Sequence, residues 1–159
     1  MKIMTKRVLV AAAAVLIASV APGAASVSAT ASWSYKGETG PAHWGELDPS
    51  FVTCVDGTAQ SPINVTGAKK KALNNIKFNY VAGPAEVFNN GHTVEAEPLN
   101  EAAESAIKIG GTEYPFLQFH FHAPSEHKVN GKRYPLEVHF VHKTADNAIA
   151  VVGVLVKAG

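Results

Sequence analysis

Gln118-Phe119-His120-Phe121-His122 and Glu137-Val138-His139-Phe140-Val141-His142 are the two stretches on which the reading of this chain turns. Both alternate. Side chains on a strand point to opposite faces in turn, so His120 and His122 project one way and Phe119 and Phe121 the other. Between the stretches lies Asn130-Gly131, the strongest short hairpin signal a sequence offers. With that pair at the turn, Val129 faces Lys132, and counting outward sets His122 opposite His139. Directly opposed residues share a face. Three imidazoles then converge, which is the ligand set of an open, catalytic zinc site. Pro124 and Pro135 cannot donate to a ladder, and a bulge or wide loop at either would shift this register.

A zinc site needs more than ligands. Each imidazole should give its second N–H to an acceptor, which fixes tautomer and orientation. Gln118 lies on the same strand face as His120, and Glu137 on the same face as His139; each is placed to accept. Three neutral histidines leave the metal its full charge, which favours an acidic bound water. The remaining histidines read differently. His142 faces away from His139, and both His127 and His142 read as hydrogen-bonded structural residues. His43 reads as packed beside Trp44. Glu126 is open between a ligand, a base and a loop charge.

The amino terminus reads as an export signal over residues 1–29. Lys2, Lys6 and Arg7 precede a thirteen-residue apolar run at 8–20, too short to span a bilayer comfortably. Val27-Ser28-Ala29 fits a cleavage site. Cleavage leaves a single domain of 130 residues, 30–159, with eleven basic against thirteen acidic residues, net −2. That charge carries no nucleic-acid footprint, and no membrane association is expected after cleavage. Lys69-Lys70-Lys71 reads as a solvated loop. The expected location is the periplasm or the extracellular space. Cys54 is the only cysteine, which is unusual in an oxidising compartment. A buried thiol, an intermolecular bridge, or a bond to a cysteine absent from this chain all remain open for it.

Residues 30–65 carry Trp33, Trp44, Pro41, Pro49 and Pro62 among several glycines. They read as irregular structure, with a short helical turn near 48–51. Beyond them alternation predicts strands at 77–81, 85–88, 93–96, 106–109, 116–122, 136–142 and 148–156. The last is nearly all apolar and reads as buried on both faces. No helix of useful length is predicted. The fold class is mainly β, with short strands in one sheet.

Two families share parts of this pattern. His120-x-His122-x-x-x-Glu126 resembles the metal motif of cupins, although Tyr114 stands where that motif has its glycine. The wider set resembles α-class carbonic anhydrases. Trp33-Ser34-Tyr35 through Gly40-Pro41-Ala42-His43-Trp44 resembles that family's amino-terminal segment. Gln60-Ser61-Pro62-Ile63-Asn64, Asn89-Asn90-Gly91-His92, Gln118 to His122, Ser125-Glu126-His127 and Glu137-Val138-His139 follow in the family's order. The match runs over nearly all of 33–159.

The resemblance implies zinc (Zn2+) on His120, His122 and His139, with Gln118 and Glu137 as their hydrogen-bond partners. It implies reversible hydration of carbon dioxide to bicarbonate and a proton, by attack of zinc-bound hydroxide. His92 would be the proton shuttle, with Tyr35 and Asn90 ordering the intervening waters. Val141, Ile149 and Val151 would line the apolar wall that holds carbon dioxide. Glu126 would match the glutamate that accepts from a hydroxide-orienting threonine, and no such threonine follows it here. The implied fold is a large central, mostly antiparallel twisted sheet, incomplete at its C-terminal side. The family usually runs well beyond residue 159, so the chain is expected to be an amino-terminal fragment. The cysteine that would pair with Cys54 in secreted bacterial members falls in the part not present. A non-catalytic zinc-binding remnant is the alternative to an active enzyme.

Overall fold

The computed structural model describes residues 32–73, 75–99 and 105–159. The signal read at 1–29 lies outside the described residues. Residues 32–63 carry only short turns: 3-10 turns at Gly37–Thr39 and Pro49–Phe51, and single helical turns α1 (Trp44–Leu47) and α2 (Thr53–Asp56). The turn expected near 48–51 has a local cause. Pro49 presets the first helical φ, and Asp48 Oδ1 accepts from the Ser50 N–H at 2.8 Å. Trp44 ties this segment together, its Nε1 donating to the carbonyls of Ser34 and Thr39 at 3.0 and 3.1 Å.

The rest is β. Two short strands, β1 (Asn64–Val65) and β7 (Lys128–Val129), pair in parallel. Seven others form one antiparallel sheet: β2 (Lys77–Asn79), β3 (Ala85–Asn89), β4 (Val94–Pro98), β5 (Ala106–Ile109), β6 (Thr112–His122), β8 (Leu136–Lys143) and β9 (Ile149–Val156). The single sheet expected from sequence is thus corrected to a sheet plus a two-stranded pair. Two-residue strands carry too little alternation to read. β6 begins four residues before the expected 116, and its early part pairs with β5 while its later part pairs with β4 and β8.

The hairpin turn forms as read. Val129 bridges Lys132, and Asn130 and Gly131 take φ of 49° and 81°, the left-handed conformation that Asn-Gly supplies. The register beyond it differs. His139 faces His120, and His122 faces Glu137. The 123–128 arm leaves the ladder for a loop around Pro124 and is two residues longer than the opposing arm. A shift of two preserves side-chain parity, so all three histidines still share a face. A bulge at Leu117, between Phe116 and Gln118, sets that face for the carboxyl-terminal half of β6.

The opposite face is aromatic. Phe116, Phe119, Phe140 and Tyr80 stack there with His142, and His142 is fully buried, held by Tyr80 Oη at 3.0 Å. The expectation that the last strand is buried on both faces is corrected. Ile149, Val151 and Val154 of β9 are 64, 51 and 44% exposed. Among the described residues β9 pairs only with β8, so its apolar side chains have no second strand beside them.

Candidate metal centre

Strand alternation and the two-residue register shift place one histidine column beside another. His120 lies directly across from His139, and ring centroids among His120, His122 and His139 are 4.9, 5.2 and 4.6 Å apart. One ring nitrogen from each lies within 4.8 Å of the others. The outward nitrogens of two of them, His120 and His139, meet the acceptors expected from strand faces. Gln118 Oε1 is 2.8 Å from His120 Nδ1, and Glu137 Oε1 is 3.0 Å from His139 Nε2. The latter approach lies off the ideal N–H direction, yet a buried carboxylate at that distance still orients the ring.

Glu137 is the hub beneath the site. It is 1% exposed. Oε2 accepts the backbone N–H groups of Glu126 and His127, each at 2.9 Å, and Oε1 sits 2.6 Å from His127 Nδ1. Burial alone would raise its pKa, but these hydrogen bonds hold the carboxyl below its usual range. His127 and His142 are both hydrogen-bonded, as read, and His127 with Glu137 and His139 makes a second cluster of possible metal-binding side chains.

The donor set suits zinc. Burial, then the neighbouring His139, lowers the pKa of His120, and burial with His139 and His120 takes His122 down to about 4. These rings are neutral near pH 7, the form that binds metal. His122 Nε2 is buried without a hydrogen-bond partner; Glu126 Oε2 is its near neighbour at 3.3 Å and lies 3.8 Å from His139 Nδ1. A buried, unpaired imidazole nitrogen is expensive, and a cation between the rings would satisfy it. Burial and the nearby Glu137 raise the Glu126 carboxyl pKa.

The other expected residues fall at varied distances. The Tyr35 ring centroid lies 6.0 Å from that of His122. His92 lies on the exposed β3–β4 turn, and Trp33 holds it by a parallel stack at 3.7 Å. In the sequence Trp33 counted only as part of the Trp33-Ser34-Tyr35 motif, with no functional role of its own. The Asn90 side chain is occupied within that turn: Oδ1 accepts from the N–H groups of His92 and Thr93, and Nδ2 donates to Glu95. Val151 lines an open cavity of about 480 Å³ with His139, Glu126, Gly153 and Leu155. Val141 stands opposite Val151, while Ile149 pairs with Lys143 at the strand's far end. Cys54 is exposed on α2, with no second cysteine in the chain.

Fold and site together define a class: an antiparallel β protein carrying a three-histidine centre on one sheet face. The chain belongs to the eukaryotic-type, α-class carbonic anhydrase family, whose profile matches residues 39–159. That membership sets aside the cupin likeness. A carbonic anhydrase of Klebsiella pneumoniae is 46% identical over 127 residues, spanning 80% of this chain and 51% of its own length. A hyperthermostable carbonic anhydrase from a hydrothermal vent chimney superposes with a TM-score of 0.75 at 44% identity, over 80% of this chain and 56% of that one. The α-carbonic anhydrase of Thermovibrio ammonificans, solved with the inhibitor sulfanilamide, gives 0.74 at 42%, over 82% and 57%. The chain spans about half the length of the relatives it matches.

Proposed function

We propose that this chain binds zinc through His120, His122 and His139 and serves the reversible hydration of carbon dioxide to bicarbonate. The observation that carries this reading is the convergence of three ring nitrogens within 4.8 Å, two of the rings backed by Gln118 and Glu137. Held by His120, His122 and His139, zinc would supply a water acidified to a pKa of about 7 as nucleophile, carbonic anhydrases being the standard instance of the effect. The chain's own residues do the rest. Gln118 and Glu137 fix the tautomers that leave one nitrogen of His120 and of His139 free. Val141 and Val151 present an apolar wall beside the histidines for carbon dioxide. His92, exposed on its turn and stacked on Trp33, carries the released proton to buffer. On this reading Tyr35, whose ring lies 6.0 Å from that of His122, and Asn90 order the waters that relay the proton. Stopped-flow hydration of carbon dioxide by the zinc-loaded chain tests the activity. Turnover that is lost in His139→Ala supports it, and a zinc-loaded chain no faster than buffer would refute it.

One observation favours a second reading, zinc binding without catalysis. Ligand atoms around tetrahedral zinc stand about 3.3 Å apart, and Glu126 Oε2 lies 3.3 and 3.8 Å from nitrogens of His122 and His139. A carboxylate there would close the open position. X-ray absorption showing a carboxylate oxygen on the metal would select this reading.

We further propose that the chain is exported to the periplasm or beyond and that residues 1–29 are removed. The basic start and the apolar run at 8–20 support this. Among the described residues no helix is long and apolar enough to cross a membrane. Mass spectrometry of the secreted chain should find Thr30 at its amino terminus; an intact Met1 would contradict it.

A further inference from the structure

Gly153 interrupts the most apolar strand of the chain, and nothing about its backbone requires glycine. The glycines at turns, among them Gly91, Gly110 and Gly131, have positive φ and open space around a would-be Cβ, whereas Gly153 has neither. A glycine inside a strand weakens it by about 0.5–1 kcal/mol relative to alanine, and its usual meaning there is close approach by another group. Here that group is identifiable. Gly153 stands directly opposite His139. A Cβ added to it would lie 2.9 Å from Glu137 Oε1, 3.6 Å from His139 Cδ2 and 3.9 Å from His139 Nε2.

A contact below 3.0 Å with a side-chain tip is ordinarily relieved by moving the tip. Glu137 has nowhere to go. It accepts the two backbone N–H groups of Glu126 and His127 through Oε2. It meets His127 Nδ1 and His139 Nε2 through Oε1. Shifting the carboxylate breaks charge-assisted hydrogen bonds to buried donors, the most costly kind to lose.

We infer that Gly153 is a positioning residue for the metal centre: its missing side chain is the space in which the Glu137 carboxylate orients His139. It acts on the metal only through Glu137 and His139. The inference rests on the zinc reading above and adds to it a residue that binds nothing itself.

The test is zinc dissociation from the full chain, followed by chelator competition, in wild type, Gly153→Ala, Glu137→Asp and the double variant. Loss of a residue that orients a metal ligand typically weakens metal binding about 10–100-fold. Gly153→Ala is expected to release zinc faster by a factor in that range, and its metal-free form to melt somewhat lower than wild type, because the displaced carboxylate gives up hydrogen bonds that do not depend on the metal. E137D withdraws the carboxylate by one methylene, so in that background the added methyl should change little. If G153A fails to fold, the double variant should recover folding. Wild-type zinc release in G153A, an undiminished effect in the E137D background, or a double variant that stays unfolded where G153A does, would each overturn the inference. Failure of the wild-type chain to hold zinc at all would instead overturn the zinc reading.

Discussion

Replacing Glu137 by glutamine changes one oxygen to NH2 and leaves the volume nearly unchanged, so its effect isolates hydrogen-bond polarity. The carboxylate faces donors on both sides: two backbone N–H groups at 2.9 Å on Oε2, and His127 Nδ1 at 2.6 Å with His139 Nε2 at 3.0 Å on Oε1. The amide must turn its NH2 toward one side. Turned to the backbone, it leaves two buried N–H groups without acceptors, at about 1–3 kcal/mol each. Turned to the histidines, it donates to His139 Nε2 and drives the His139 proton onto Nδ1, the nitrogen needed for the metal. The second arrangement keeps both backbone N–H groups paired and is the less costly of the two, and it weakens zinc binding by about 10–100-fold, or roughly 1.4–2.8 kcal/mol. Competitive titration with a chromophoric chelator at pH 7 measures the dissociation constant directly. Zinc affinity in Glu137→Gln within twofold of wild type would refute the reasoning, because the favoured orientation of the amide puts a donor against His139 Nε2.

Three further outcomes are expected. Replacing His92 by alanine should slow carbon dioxide hydration in dilute buffer on the order of 100-fold, the lower end for a lost proton-transfer group, and added imidazole should restore it; no buffer dependence removes the shuttle role. Burial lowers the pKa of His142 against opposing backbone hydrogen bonds, so the unfolded chain takes up the proton first as pH falls. Stability of the metal-free chain should therefore decline as pH drops below the ordinary value of about 6.5 and level off below the folded pKa. His142→Gln should flatten that decline in denaturant titrations, and an unchanged slope would contradict it. Finally, β9 pairs with β8 alone among the described residues and presents an apolar row along its other, unpaired edge, a known aggregation liability. Val154→Lys should reduce concentration-dependent light scattering of this chain, and unchanged scattering would place the sticky surface elsewhere.

The site was more legible in the sequence than the register that builds it. His120-x-His122 with Gln118 needed only strand parity, and parity survives any even shift. The pairing of His122 with His139 failed because Pro124 and the residues after it leave the ladder, and a loop's length inside a hairpin arm does not show in alternation. The parallel β1–β7 pair was invisible because two residues have no period. The apolar 148–156 segment was read as doubly buried because composition reports what a strand can bury and cannot report what lies beside it. Gly153 carried a signal, a lone glycine in an apolar run, but its meaning depends on Glu137 across the ladder. Trp33 stacks on His92 from a segment about sixty residues earlier, a contact no local pattern encodes.

The proposed centre needs all three histidines to hold one metal. Zinc content of the purified chain and of His120→Ala, His122→Ala and His139→Ala, measured after dialysis against a weak chelator, tests this most directly. One zinc per wild-type chain and its loss in each variant is the predicted result. Wild-type zinc content in any one of the three variants would contradict it.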